Sequence, residues 1–415
     1  MMCASDTREG ATGLCRPALT LALIAGALAR ILLITAVFDW SEAPTRSDDL
    51  TYRQIAESLL EDGRLATHHF PVGYPLFLGV ILAATGGSYI AVRVVQVLLG
   101  VLTIAVASRI ARLLYGEEAG AITAWLMALY PPLLYLTGRI MSETLFIALL
   151  MSSILFFLNS DRDRASSLLG PAAFLFGLAC LVRSNLVLMI PAIPGWLLLR
   201  PGGALAKKLL NAGLVTGTLG AVLISPGLYF WATQGEFVPF ATNAGQTFYG
   251  ANNPLADGGW VQVEDHPELL REISPDVRRS NTTYSRAQYR LGFGWIQRNP
   301  RDFLRLLPKK LANAWIPGFQ RAEFTSSSRV AFIVQACSLG FVLVGAIAGR
   351  LLVRPRQRDC LLLAVLGTYT VMSLVFYGNP RIGLFCAPIL IVYAAALIGH
   401  LARRRASSRT TSSVS

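Results

Sequence analysis

Two adjacent aspartates, Asp48 and Asp49, stand in a polar stretch between long apolar runs, and two adjacent histidines, His68 and His69, follow them. A carboxylate beside an incoming hydroxyl or amine can accept its proton, so both aspartates are candidate catalytic bases. Neighbouring residues point in different directions on a helix or a strand. We therefore expect only one of the two aspartates to face the reacting centre.

Three arginines near the ends of apolar runs, Arg139, Arg183 and Arg381, are candidate phosphate ligands. Forked, charge-assisted hydrogen bonds from a guanidinium can hold a phosphate and stabilise its charge as it leaves. Lys309, which forms a pair with Lys310, is a further candidate contact to a phosphate or to anionic lipid. A carboxylate base and phosphate-binding arginines together predict the transfer of a group away from a phosphate.

Some of these residues also have simpler explanations. His68, His69 and Glu143 are candidate ligands for a divalent metal ion, but no third ligand stands at a diagnostic spacing, so an ordinary loop pair is the alternative for the histidines. Glu143 follows Arg139 by four residues, and an ion pair along a helix is the alternative there. Arg183 could snorkel to the membrane surface instead of lining a polar pocket.

The segment around the aspartates has the pattern of a helix that begins at Ser47 and ends at Gly63. Asp48 and Tyr52 stand four residues apart on one of its faces. Such a helix would lie on the bilayer surface, and the apolar piece 76–84 that follows is too short to span the membrane. Acids are favoured at a helix start in any case, with Ser47 as the cap, which is the structural alternative to catalysis.

The composition indicates a membrane protein. The 415-residue chain is 53% hydrophobic and 15% charged, with a mean hydropathy of +0.51, whereas soluble domains carry about 25% charge. The net charge of +13 is expected to collect in cytoplasmic loops, and it does not indicate a nucleic-acid partner. The six cysteines lack metal-ligand spacing, and we expect no disulfide framework.

The apolar runs predict an all-α bundle of about ten transmembrane helices. The first, 17–38, contains a site resembling that of a signal peptidase, but its apolar sequence continues beyond the site and predicts a retained helix in which Arg30 snorkels near the outer boundary. The other predicted spans lie near 88–114, 119–137, 141–159, 166–182, 184–199, 207–232, 329–352, 358–377 and 381–402.

The positions of the basic loops predict the orientation. Arginine- and lysine-rich connections fall on one side, which is cytoplasmic by the positive-inside rule and holds both termini. The opposite, external side receives a first loop at 39–87 and a long cap loop at 233–328, which offers amphipathic helices at 284–297 and 301–315. Residues 1–402 thus form one polytopic domain, and the basic tail 403–415 is predicted to be disordered and cytoplasmic.

Six stretches in the same order resemble a known family. The first is the first-loop pattern SDDLTYRQIAESL…G…PVGYPLFL. The other five are YPPLLYLTGRIMSETLF, GLACLVRSN, TNAGQTFYGANNP, RNPRDFLRLLPKKL and NPRIGLFCAPIL. Together they resemble the multi-pass C-type glycosyltransferases of the protein O-mannosyltransferase and aminoarabinose transferase group, and the resemblance covers 30–401. Where PRIGLFCAP stands, an Arg-Tyr-Arg-Leu-Pro type of pattern is commoner in that group.

The resemblance implies an inverting sugar transfer from a polyprenyl-phosphate donor on the external face of a plasma or bacterial inner membrane. The acceptor would be a glycan, a lipid or a protein. The catalytic first-loop aspartate maps by position to Asp48, with Asp49 second. We place five residues in the substrate pocket: Tyr52, Tyr74, Glu143, Asn252 and Asn253.

Two functions from other classes remain open at this point. A transporter or lipid flippase also carries polar residues inside a bundle, although it would show two related halves and helices broken near the midplane. A non-catalytic assembly subunit would keep its aspartates for structural reasons only.

Overall fold

The structure is a computed structural model that describes residues 6–45, 47–162, 165–316, 329–356 and 359–412. Within these ranges it consists of α-helices, short 3-10 helices and connecting turns, without a β-strand. The predicted all-α fold class is therefore confirmed.

The helices follow the predicted spans and loops closely. In chain order they are α1 (Asp6–Val37), α2 (Ser47–Asp62), α3 (Gly73–Thr85), α4 (Tyr89–Tyr115), α5 (Glu117–Leu129), α6 (Pro131–Gly138), α7 (Ser142–Arg162), α8 (Leu169–Val182), α9 (Ala192–Leu198), α10 (Leu205–Gln234), α11 (Asn243–Ala251), α12 (Pro267–Leu270), α13 (Asn281–Arg298), α14 (Pro300–Trp315), α15 (Arg329–Leu352), α16 (Cys360–Val375) and α17 (Arg381–Ser412). Short 3-10 helices occupy Ser166–Leu168, Ser184–Met189, Val263–Asp265 and Val277–Arg279.

The predicted number of about ten spans is not confirmed. Among the described residues, 6 helices are long and apolar enough to cross a membrane, namely α1, α4, α7, α10, α15 and α17. A seventh span would be formed by α5 and α6, which are bent by 51° where Pro131 begins the second helix. The other predicted spans coincide with shorter apolar helical segments at Ser166–Val182, Ser184–Leu198 and Cys360–Val375, of which the first two are separated by Arg183.

The centre of the bundle is formed by α4, α7 and α17. The most apolar window of α17 is 89% buried, whereas that of α15 is only 17% buried and faces outward. A side chain at Gly349 would collide with the backbone carbonyl of Tyr393, so α15 and α17 touch at the level of their backbones. The N-terminal ends of α4, α7 and α17 hold the polar residues described below.

The first loop contains the two elements that the sequence predicts. The surface helix α2 carries Asp48 and Asp49 in its first turn, where acids complement the positive end of the helix dipole. Gly63 follows it with a φ of 66°, a left-handed conformation that glycine adopts without strain. The short apolar helix α3 then packs against α2, α4 and α8.

Two expectations differ from the structure. Arg30 does not snorkel to the surface but is 1% exposed, because Gly100 on α4 leaves room for its side chain inside the bundle. The segment 403–412, predicted as part of a disordered tail, continues α17, since each added residue of an existing helix gains a hydrogen bond. An ion pair of 2.6 Å between Arg403 Nη1 and Glu118 Oε2 ties this extension to α5. Residues 413–415 lie outside the described ranges.

The packing of α3 on α8 gives the first testable prediction. A Cβ at Gly73 would lie 2.6 Å from the backbone nitrogen of Val182, so Gly73→Ala is expected to destabilise the protein by about 1–3 kcal/mol through overpacking. Gly170, on α8 itself, has open space at its Cβ position and serves as the control. Thermal unfolding in detergent should show a lower midpoint for Gly73→Ala and an unchanged or higher one for Gly170→Ala. Equal midpoints for the two variants would contradict the tight contact.

Candidate functional site

Asp49 is held by a forked ion pair. Its Oδ2 and Oδ1 accept hydrogen bonds from Arg139 Nε and Nη2, both at 2.9 Å, and its side chain is only 10% exposed. Burial raises the pKa of the Asp49 carboxyl, and the neighbouring Arg139 guanidinium opposes part of this shift. The pair fastens the start of α2 to the junction between α6 and α7.

Asp48 is paired with a different arginine and is more accessible. Arg381 Nη1 donates one hydrogen bond of 2.9 Å to Asp48 Oδ2, and the Asp48 side chain is 36% exposed. The two adjacent aspartates therefore point to two different guanidinium groups, as neighbouring positions on a helix allow. They differ in that Asp49 is held through both oxygens by two nitrogens of Arg139, whereas the pair of Asp48 with Arg381 joins one oxygen to one nitrogen.

Arg183 and Glu143 form the third acid–arginine contact. Arg183 Nη1 donates to Ser142 Oγ at 2.9 Å and lies 3.3 Å from Glu143 Oε1, and its guanidinium stacks 4.1 Å above the Phe385 ring. Glu143 thus contacts Arg183, which is distant in the sequence. This contact takes the place of the alternative pair with Arg139 along one helix. Arg183 is thus turned towards Ser142 and Glu143 and does not snorkel to the membrane surface.

Buried tyrosines close the cluster on the side of α3. The Tyr52 ring lies 5.1 Å from the Tyr74 ring, and Tyr74 Oη donates to Gln96 Oε1 at 2.8 Å. Burial, together with the negative charge of Asp48, raises the pKa of Tyr52 to about 12. Tyr52 therefore remains a neutral hydroxyl beside the acidic residues at physiological pH.

Two residues of α4 that the sequence analysis did not single out support the arginine and aspartate pairs. Gln96 Nε2 donates to the carbonyls of Thr137 at 2.9 Å and Arg139 at 2.7 Å. Arg93 Nη1 donates to the carbonyls of Trp40 at 2.8 Å and Glu42 at 3.0 Å. Their signal in the sequence is a pair of polar residues three apart at the start of an apolar span, where buried polar groups are rare.

The two neighbouring lysines of the cap, Lys309 and Lys310, lie in different environments. Lys309 is exposed, whereas Lys310 is fully buried and donates from Nζ to Asn252 Oδ1 at 2.8 Å and to the Leu374 carbonyl at 3.3 Å. Successive helical residues point about 100° apart, so a lysine pair on α14 places one amine outside and the other inside. Burial lowers the pKa of the Lys310 amine to about 8.

Asn252 and Asn253 are both fully buried and bond to nearby backbone. Asn252 Nδ2 donates to the Phe248 carbonyl at 2.8 Å and the Val375 carbonyl at 3.1 Å, which links α11 to the end of α16. Asn253 Oδ1 accepts from the Leu255 nitrogen at 2.8 Å and closes a turn. These contacts hold the cap in place.

The three candidate metal ligands are not brought together. His68 Nε2 lies 3.5 Å from Glu236 Oε2, and the His68 and His69 carbonyls accept from the backbone nitrogens of Thr242 and Asn243, each at 3.0 Å. Burial lowers the pKa of both imidazoles. In the ranges that the structure describes, no group of three or more histidine, cysteine or acidic side chains could hold a metal ion. The described residues thus do not assemble His68, His69 and Glu143 into one metal site, and the backbone at the two histidines docks the first loop onto the cap.

The helical membrane bundle, which carries paired acids and arginines at one end, resembles the C-type membrane glycosyltransferases in its fold. Residues 69–230 match the family model described as dolichyl-phosphate-mannose-protein mannosyltransferase. This match confirms the resemblance that the six sequence stretches indicate.

A solved structure shares the fold, and a second one aligns more weakly. The chain is similar to the crystal structure of the Archaeoglobus fulgidus oligosaccharyltransferase tethered with an acceptor peptide, with a TM-score of 0.56 and 16% identity over 94% of this chain and 50% of that one. This chain thus spans about half the length of the archaeal enzyme. ArnT from Cupriavidus metallidurans in the apo state aligns with a TM-score of 0.40 and 13% identity over 94% of this chain and 77% of that one. No curated protein sequence matches.

Because Lys310 is buried and Lys309 is exposed, we expect substitutions of these two neighbours to change stability by different amounts. Lys310→Met would leave Asn252 Oδ1 and the Leu374 carbonyl without their donor, and we expect a loss of about 1–3 kcal/mol in stability. Lys309→Met removes the same charge from an exposed position and should change stability by less than about 0.5 kcal/mol. Thermal unfolding of the two variants measures this difference in stability. Equal midpoints would contradict a stabilising role for the contacts of Lys310.

The pKa of Lys310 also predicts a pH dependence of stability. Because the folded-state pKa of about 8 lies below the unfolded value of 10.5, the unfolded chain binds more protons between these pH values. Stability contributed at this site should therefore rise with pH from about 8 towards 10.5 and stay constant below that window. The difference in unfolding midpoint between wild type and Lys310→Gln, followed from pH 7 to pH 10, measures this contribution. A difference that does not change with pH would contradict the buried amine.

Proposed function

We propose that the protein transfers a sugar from a polyprenyl-phosphate donor to an acceptor at the external face of the membrane, with inversion at the sugar carbon. The observation that carries this proposal is the set of three acid–arginine contacts, Asp48 with Arg381, Asp49 with Arg139 and Glu143 with Arg183. Arginines hold phosphate in the forked geometry that they also use for carboxylates.

The more open of the three pairs is the proposed point of entry for the donor. Arg381 Nη1 donates to Asp48 Oδ2, and a phosphate that replaces the carboxylate at this nitrogen would release Asp48 from the pair. An arginine shared in this way couples donor binding to the release of the base. The acceptor then meets a carboxylate that is free of Arg381 only when the donor is bound.

The chemical step is a single displacement. The acceptor hydroxyl or amine attacks the anomeric carbon, its proton passes to Asp48, and the bond between that carbon and the phosphate oxygen breaks. The electron pair leaves with the phosphate, whose added negative charge is stabilised by Arg381, with Arg183 as a second cation nearby. Attack from the face opposite the leaving group produces the inversion.

Asp49 has a different role in this proposal. Both of its oxygens are engaged by Arg139, so it cannot accept an acceptor proton without giving up that fork. We therefore assign Asp48 as the base and Asp49 as the residue that fixes α2 against the bundle. Tyr52, one turn after Asp48, and the Tyr74 ring behind it would form one wall of the sugar pocket.

The external location rests on the charge of the loops. The N-terminal ends of α4, α7 and α17 share one side with the first loop and the cap, and the opposite side carries Arg109, Arg200 and Arg403, which the positive-inside rule assigns to the cytoplasm. A donor delivered through the membrane on a lipid carrier suits a site on that outer side. The sugar, the carrier and the acceptor, which is a glycan, a lipid or a protein, remain to be identified by experiment.

A transporter or lipid flippase is the second candidate, and one observation favours it. The span formed by α5 and α6 is broken and bent by 51°, as spans beside transport sites often are. Against it, the acid–arginine pairs lie at one end of the bundle. Release of free carrier phosphate from a labelled donor by purified protein supports the transferase, whereas movement of the intact donor between leaflets of liposomes without cleavage supports the transporter.

Substitution of the two aspartates should separate their roles. Asp48→Asn is expected to reduce turnover of a labelled polyprenyl-phosphate sugar by about a hundredfold or more, since it removes the base, and to lower stability by less than Asp49→Asn does, since Asp48 is the more exposed of the two acids. Asp49→Asn breaks a largely buried pair and should lower stability by on the order of 3 kcal/mol. Asp62→Asn, at the exposed end of the same helix, is the control and should change neither. Undiminished turnover in Asp48→Asn would reject the mechanism.

A further inference from the structure

Arg30 lies inside the bundle without an acidic partner. It is 1% exposed, its Nη1 donates to the carbonyl of Gly26 in its own helix at 2.9 Å, and its Nε has no hydrogen-bond partner among the described residues. Among the residues that the structure describes, Arg30 takes part in no ion pair. An arginine keeps its charge in proteins, and an uncompensated charge within a membrane bundle is costly.

Arg30 lines a small cavity between α1, α4, α5, α6 and α7. The cavity has a volume of about 20 Å³, and its polar lining besides Arg30 consists of Thr103, Thr137 and Thr144. Gly100 makes room for the arginine, since a Cβ there would lie 2.5 Å from Arg30 Nε. The cavity is therefore formed around this side chain.

The polar groups that line the cavity indicate what kind of species it can bind. Thr103, Thr137 and Thr144 donate their hydroxyl hydrogens to the carbonyls of Leu99, Leu133 and Leu136. The group that still needs a partner is thus the positively charged N–H donor of Arg30. A space of about 20 Å³ accommodates one small species and excludes a phosphate or a sugar.

We propose that this cavity binds a single small monovalent anion, of which chloride is the physiological example. The anion would accept from Arg30 Nε and neutralise the guanidinium inside the bundle. The site lies one helical turn from Gln96, the residue that holds the carbonyls of Thr137 and Arg139. The bound anion thereby stabilises the seam between α4 and α6 that supports the acid–arginine pairs. This assignment does not depend on the proposed sugar transfer.

The test is the halide dependence of unfolding of the full-length protein in detergent. At constant ionic strength, replacing gluconate by chloride or bromide should raise the midpoint of the wild type by on the order of 2 °C for each tenfold increase in halide above its dissociation constant. Arg30→Met and Arg30→Gln should abolish this dependence. Arg109→Met removes the same charge from an exposed position of α4 and should retain it.

A second measurement covers the case in which the Arg30 variants do not fold. Crystals of the wild-type protein grown in bromide should give an anomalous peak beside Arg30 Nε. A wild-type midpoint that is the same in gluconate and halide, a halide dependence that survives in Arg30→Gln, or bromide peaks confined to other places would each overturn the proposal. A water molecule in the cavity would produce the first of these outcomes.

Discussion

A guanidinium group inside a membrane bundle requires a negative partner, because removing an ion from water costs several kilocalories per mole. One end of this bundle meets that requirement with carboxylates from distant parts of the chain, Asp48 for Arg381 and Asp49 for Arg139. In the proposed reaction the same requirement is the basis of donor binding. A guanidinium that is held by a carboxylate in the resting state can exchange it for a phosphate without ever being left alone.

The surrounding structure keeps these pairs in place. Gln96 on α4 fixes the backbone that carries Arg139, and the short helix α3 packs where α8 ends, directly before Arg183. The cap contributes from the opposite side, since Lys310 and Asn252 hold the end of α16, and the chain then passes through the short 376–380 segment to Arg381. The cap thus acts on the site through the position of one arginine.

The positions of the helices and of the polar cluster could be predicted from the sequence, because both follow from hydropathy and from the rarity of ionisable groups in apolar runs. Which acid meets which arginine could not. Arg139 and Glu143 are neighbours along the chain, yet Arg139 pairs with Asp49, 90 residues away, because tertiary packing turns the two side chains apart. Likewise, a hydropathy profile cannot tell whether the side chain of Arg30 turns to the surface or into the bundle.

The central claim is that Asp48 and the donor phosphate compete for Arg381. The affinity of the Asp48→Asn variant for a labelled polyprenyl-phosphate sugar tests this most directly, because the substitution removes the competitor and the base together. The account predicts that this variant binds the donor more tightly than the wild type does, even though its turnover is lost. Donor affinity that is weakened or unchanged would contradict the exchange of carboxylate for phosphate at Arg381.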